Sequence, residues 1–188
     1  GVDFAHESVD RIWLFTSAIS ATHVRGSSAA ITRTQRSSLR YYQRPDADYV
    51  ELDPDATSLS GYYLMGYAGK QGGRFTMRNG VGYVSPGYEA NDLGFHTNAD
   101  RILVDTHYQW TERVPGRFFR LWSATIGGPA AAWNSNGDRL FGNINLLTNA
   151  TFLNYWQMNH RVQYNPASDD DRLTRGGPIG RVPDAWQG

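Results

Sequence analysis

Apolar and polar side chains alternate along much of this chain with a period of two, which is the pattern of a β-strand whose two faces meet different surroundings. The clearest stretch is Arg101–Thr111, where apolar and aromatic side chains fall on one face and polar ones on the other, with Leu103 as the exception. Leu140–Leu146 and Phe152–Tyr164 repeat the alternation. The pattern therefore predicts an all-β protein built from long strands.

We predict about eight long strands in an antiparallel up-and-down meander within a single β-barrel segment spanning residues 1–188. The strands occupy residues 11–164 approximately, and residues 165–188 form an extended C-terminal loop. Several strands exceed the usual 5–6 residues and reach the roughly 9–11 residues of membrane-spanning strands. The predicted strands are Arg11–Ala21, Ala30–Gln43, Ser58–Gly69, Arg74–Val84, Arg101–Thr111, Arg117–Ile126, Leu140–Leu146 and Phe152–Tyr164.

The predicted connections alternate between short and long. Tight turns carrying Gly, Pro or Asn are expected at Lys70–Gly73, Val114–Gly116 and Thr148–Ala150, and the Thr22–Ala29 link falls on the same side. Short turns on one side and long loops on the other are typical of outer-membrane barrels. The long loops are predicted at Arg44–Thr57, Ser85–Ala99, Gly127–Asp138 and after Asn165.

Composition supports a barrel whose polar face is enclosed. Aromatic residues make up 13% of the chain, and Lys70 is its only lysine. The polar faces carry Arg, Gln, Asn, Asp and His with little Lys or Glu, whereas soluble surfaces mix Lys and Glu freely. A polar lumen and a lipid-facing wall fit this better than the alternatives, a soluble up-and-down barrel or an aromatic-rich sandwich. The net charge of zero gives no reason to expect a nucleic-acid partner.

Candidate chemistry is confined to the loops. The acidic loop at 44–55 offers oxygen ligands for calcium, but a solvated loop is the preferred interpretation, as it is for the acidic run Ser168–Arg172. Glu89 and Asp92 would suit glycoside hydrolysis if they converged, which nothing in the sequence indicates. The histidines, including His107 and His160, are interpreted as wall or packing residues. We therefore predict no catalytic residue, no metal site and no cofactor, and hence no enzyme.

The loop motifs carry a resemblance to a known family. The chain resembles the barrel region of an uncharacterised bacterial family in which an N-terminal family 9-type carbohydrate-binding domain precedes an outer-membrane β-barrel. The resemblance implies a location in the bacterial outer membrane and a place in the middle of the barrel. The motifs are Tyr42–Asp48, Asp53–Pro54, Thr57–Gly61, Ser85–Glu89, Asn91–Phe95, Ala99–Arg101, Asn154–Trp156 and Asp171–Pro178.

Three functions follow as expectations. The first is a pore or transporter for small nutrients or glycans. The second is a non-catalytic membrane anchor or surface-binding subunit of a larger assembly, and the third is a soluble β-sandwich acting on polysaccharide. Expected partners are outer-membrane lipid and, beyond it, glycan or other protein subunits. The loop residues proposed to contact a ligand are Arg44, Asp46, Asp48, Glu89, Asp92 and Arg175.

Overall fold

The computed structural model describes residues 1–91 and 97–188, and within them the regular secondary structure is β-strand apart from one short helix. The all-β antiparallel meander predicted from the sequence is confirmed. The elements are β1 (Val2–Glu7), β2 (Trp13–Arg25), α1 (Ser28–Gln35), β3 (Ser58–Lys70), β4 (Phe75–Val84), β5 (Arg101–Glu112), β6 (Phe119–Trp133), β7 (Arg139–Phe152), β8 (Gln157–Asn165), β9 (Ser168–Asp170), β10 (Gly180–Val182) and β11 (Ala185–Gln187).

One sheet contains nine of these strands. Their order is β1-β2-β3-β4-β5-β6-β7-β8-β11, and every neighbouring pair is antiparallel. Strands β9 and β10 form a separate small hairpin. The sheet is open in the described part of the chain, because β1 and β11 lie at its two edges. Residues 165–188, predicted as an extended loop, thus contain three short strands.

The predicted strand Ala30–Gln43 is wrong, because this region begins with α1. The helix starts after Ser27, whose side-chain oxygen accepts a hydrogen bond from the backbone N–H of Ala30 at 3.3 Å. Ile31 and Gln35 are both buried, and their spacing of four residues places them on one helix face. The short helix therefore packs on the rest of the protein through these two side chains, which are one turn apart. Among the described residues, no helix is long and apolar enough to cross a membrane.

Two predicted connections are also wrong. The tight turn at Thr148–Ala150 lies inside β7, and the actual turn occupies residues 153–156, where the Tyr155 N–H donates to the carbonyl of Phe152. Strand β6 extends to Trp133, so the long loop predicted at Gly127–Asp138 shrinks to residues 134–138. Gly127, Gly128 and Asn149 occupy strand positions rather than turns.

The connections still divide into two ends. Turns at residues 8–12, 71–74, 113–118 and 153–156 define the short-turn end of the sheet, and the predicted turns near Lys70–Gly73 and Val114–Gly116 are confirmed. The opposite, long-loop end carries residues 26–57, 85–91, 97–100, 134–138 and 166–184. The Thr22–Ala29 link was predicted on the wrong side, because β2 runs to Arg25 and its connection to β3 lies at the long-loop end.

The two faces of the sheet differ in chemistry, and the apolar face is left uncovered. Along one row, Ile19, Leu64, Tyr83 and Ile102 oppose one another across four strands and define the apolar face. Its side chains are uncovered: Val81 is 64% exposed and Ile19 is 57% exposed. The opposite, polar face is where the long loops pack. Other exposed members of the apolar face are Phe15, Trp110, Ile126, Leu146 and Met158.

Candidate functional site

The loop after β4 lies directly against the polar face at the long-loop end. The Ser20 and Tyr88 hydroxyls are 2.7 Å apart, and the backbone N–H of Glu89 donates to the Thr22 hydroxyl at 3.1 Å. The Tyr88 ring packs on Tyr63 with centroids 5.9 Å apart. Such close packing requires a residue without a side chain in β3, because a Cβ at Gly61 would lie 2.1 Å from the Tyr88 backbone nitrogen.

Replacing Gly61 by alanine is expected to lift this loop from the sheet. The added methyl meets backbone rather than a movable side chain, so we expect a cost of about 1–3 kcal/mol in the free energy of unfolding. Gly116→Ala is the matched control, since its Cβ would meet nothing within 4 Å. Denaturant unfolding of both variants checks the prediction, and equal midpoints for the two would contradict it.

Asp171 joins two loops to the sheet. Its carboxylate pairs with both terminal nitrogens of the Arg101 guanidinium. Nη2 donates a hydrogen bond to Oδ1 at 2.9 Å, and Nη1 lies 2.9 Å from Oδ2. The same Oδ2 lies 3.4 Å from Nη1 of Arg44. The Arg44, Arg101 and Asp171 side chains are only 2%, 8% and 12% exposed. We call these three residues the Asp171 cluster. The interpretation of the acidic run at 168–172 as a solvated loop is therefore wrong for Asp171.

A second buried ion pair holds the 85–91 segment. Nη2 of Arg40 lies 3.0 Å from Oε2 of Glu89, and the Arg40 side chain has no exposed surface. Arg40 also donates through Nε to the Pro86 carbonyl at 3.2 Å and through Nη2 to the Tyr88 carbonyl. Burial works against ionisation of Glu89, but the Asn91 N–H and the Arg40 guanidinium outweigh it, so its pKa lies below the usual value.

Asp100 connects two further loops at the same end. Its Oδ2 accepts a hydrogen bond from the Tyr49 hydroxyl at 2.5 Å, and its Oδ1 accepts one from the Ser135 backbone N–H at 2.9 Å. Burial, together with the neighbouring Asp100 carboxylate, raises the pKa of Tyr49, which keeps the phenol protonated as a donor. Arg44 donates to the same hydroxyl at 3.1 Å, so this arrangement is continuous with the Asp171 cluster.

Some of the predicted ligand-contact residues take part in this network. Arg44 belongs to the Asp171 cluster and Glu89 pairs with Arg40. Asp46 accepts a hydrogen bond from the Ile179 N–H at 3.2 Å, while its buried Oδ2 has no hydrogen-bond partner among the described residues. These side chains hold loops together.

The other predicted residues lie apart from it. Asp48 and Arg175 are exposed, and Asp92 lies outside the described residues. Four central residues escaped the sequence reasoning as site candidates, because their partners are distant in the chain: Arg40, Tyr49, Arg101 and Asp171. The only local signal was the acidic run itself.

Two of the hollows on the polar face bear on function. One, of about 340 Å³, lies at the long-loop end next to Arg101 and Asp171 and reaches Phe141. The other, of about 420 Å³, lies nearer the short-turn end, and we call it the amide groove. No group of three or more His, Asp or Glu side chains in residues 1–91 and 97–188 could hold a metal ion. The lining of the amide groove includes Gln109, Thr111, Ser123, Asn149, Gln157 and Asn159.

The fold and the site define an all-β protein whose long loops are held by buried ion pairs on the polar face of an antiparallel meander. Residues 18–174 match the family described as "Domain of unknown function (DUF5916)", and the chain belongs to this family. No curated protein and no solved structure matches the chain. The matched residues include most of the sheet and the loops of the ion-pair network.

Proposed function

We propose that this chain forms part of the wall of an outer-membrane β-barrel, with its apolar face toward lipid and its polar face toward the lumen, and that the barrel is a pore or transporter for small nutrients or glycans. The observation that carries the proposal is the uncovered apolar face, which lies opposite the face on which the long loops pack. Soluble proteins rarely leave so many large apolar side chains together at the surface, whereas the outward band of a membrane barrel is apolar.

Aromatic residues on the apolar face support the same placement. Phe75 and Trp110 oppose each other near the short-turn end, while Tyr83 and Trp133 flank Ile102 near the long-loop end. Eight residues separate Trp110 from Ile102, or roughly 27 Å along the strand. At the tilt of 35–45° common in such barrels, this gives a height of about 20 Å, close to the apolar band of about 25 Å between two aromatic girdles.

The open edges of the sheet favour a barrel with more strands than those of this sheet. Strands β1 and β11 lack a second neighbour among the described residues. Unpaired edges invite association, and only closure removes them. The resemblance of the loop motifs to a family with an N-terminal carbohydrate-binding domain further supports glycans as the cargo.

A membrane anchor is the second candidate, and the ion-pair network favours it. The Asp171 cluster and the Arg40–Glu89 pair hold loops against the polar face, so this part of the proposed lumen would be filled. A soluble β-sandwich would need a second layer over the apolar face, and no element in the described ranges supplies one.

Fractionation and reconstitution of the full-length protein test the proposal. We expect it to sediment with outer membranes, to need detergent for extraction, and to make liposomes swell in isotonic solutions of small sugars. Membrane insertion without swelling would favour the anchor. A protein that is soluble without detergent would overturn the membrane placement altogether.

A further inference from the structure

Neutral hydrogen-bonding side chains form a continuous row across four strands of the polar face. Thr111 on β5 opposes Ser123 on β6, which opposes Asn149 on β7, which opposes Asn159 on β8. With neighbouring strands about 4.8 Å apart, the row spans roughly 14 Å. Gln109 and Gln157 extend the same surface, and together these side chains line the amide groove.

These amides have most of their hydrogen-bonding capacity free. Within the described residues, the side chains of Gln109, Gln157 and Asn159 make no hydrogen bond, and Asn149 makes only a long one of 3.5 Å to the Ser123 hydroxyl. Each amide group offers two donors and an acceptor. The groove therefore presents several unfilled donors and acceptors in a fixed row.

A second set of amides on the same face shows the opposite behaviour. Asn143 donates to Asn165 at 3.0 Å, Asn145 donates to Asn143 at 2.9 Å, and Gln163 donates to Asn165 at 2.9 Å. The side chains of that set lie toward the long-loop end and form hydrogen bonds with one another. Amides on this sheet can thus pair with one another, and those of the amide groove do not.

The groove is also nearly free of charge. Arg113, an exposed residue beside the short turn, is the only ionisable side chain among the described residues that line it. A cation entering this space would lose hydration, meet no opposite charge and be repelled by Arg113, whereas an uncharged hydroxyl-rich solute would exchange water for amide hydrogen bonds. Leu121 adds apolar surface beside the row, which suits the C–H faces of a saccharide ring.

We propose that the amide groove binds uncharged, hydroxyl-rich solutes of oligosaccharide size in preference to cationic solutes of the same size. This inference rests on the proposed function for its setting, since the groove would then face the lumen. It goes further by naming the class of cargo and the residues that recognise it.

Calorimetric titration of the detergent-solubilised full-length protein tests the binding directly, with maltotetraose as the neutral probe and the glucosamine tetramer, at a mildly acidic pH that protonates its amines, as the cationic one. We expect binding of maltotetraose and at least about tenfold weaker binding of the glucosamine tetramer. Gln109→Ala combined with Asn159→Ala should weaken maltotetraose binding by about tenfold or more, since each lost hydrogen bond is worth about 0.5–1.5 kcal/mol. Asn136→Ala, in an exposed turn at the other end of the sheet, should leave it unchanged.

Equal affinity for the two probes, no binding of maltotetraose, or equal affinity in the double variant and the wild type would each overturn the proposal. Swelling of proteoliposomes, measured in parallel, distinguishes saccharide binding in the groove from the pore function. Binding without swelling would support the binding proposal and contradict the pore function. Swelling without binding would contradict the binding proposal and support the pore function.

Discussion

Replacing Asp171 by asparagine is expected to lower the free energy of unfolding of the long-loop end by about 3–5 kcal/mol, the usual effect of removing one partner of a buried ion pair. Two buried guanidinium groups, those of Arg44 and Arg101, would lose their carboxylate at once. Arg44 is the more vulnerable, because its Nε already has no hydrogen-bond partner among the described residues. The asparagine keeps the volume, so the effect isolates the charge.

Asp169→Asn in the same acidic run is the matched control. Asp169 lies 3.6 Å from Arg181, whose side chain is 73% exposed, and such surface pairs contribute about 0–1 kcal/mol. Hydrogen exchange of the full-length protein in detergent should show faster exchange at residues 40–50 and 85–91 in Asp171→Asn, with β3 to β7 still protected. If both variants exchange like the wild type, the cluster does not hold the loops.

Replacing Val81 by arginine is expected to destabilise the membrane-inserted protein by about 2–4 kcal/mol, which is the cost of a cation near the middle of the lipid-facing band of a barrel. Val81 is 64% exposed, so the same change in a water-facing sheet would alter stability by less than about 0.5 kcal/mol. A lipid-facing and a water-facing Val81 thus lead to different losses in the free energy of unfolding. Measuring the unfolding of the variant in lipid vesicles distinguishes the two.

His107→Arg provides the control on the other face. His107 is exposed on the polar face of β5, opposite Arg78 of β4. A cation there would face the proposed lumen and should change the free energy of unfolding little. Were His107→Arg as damaging as Val81→Arg, or both neutral, the assignment of the two faces to lipid and lumen would be wrong.

The strands were predictable because alternation is a local property. In β5, the exception Leu103 lies on the polar face and is 40% exposed. The other positions alternate regularly, so they still identify the strand and its two faces. Strand ends were less predictable. Asn149 looks like a turn residue, but a polar strand face accepts asparagine equally well, and here it pairs with Ser123. Residues 28–35 lack a clear apolar stripe, so the Ser27 cap was the only helix signal.

The network at the long-loop end could be anticipated only in part. Arg44 and Glu89 were identified because they stand in loops dense in charge. Their roles in the ion-pair network could not be predicted, because an ion pair such as Arg101 with Asp171 joins residues seventy positions apart. Sequence spacing carries no information about such pairs until the strands are in register. The row of amides in the groove has the same origin, since it arises from the alignment of four strands.

The meander order has a consequence for how the protein assembles. From β1 to β8, every strand pairs with the next one in the chain, so each hairpin can form on the one before it at a small loop-closure cost. The contacts of Asp171 with Arg44 and Arg101 instead close loops that span most of the sheet. Contacts of high sequence separation are slow to form. We therefore expect the hairpins to form first and the Asp171 cluster to close last, so that this end of the molecule is the first to reopen.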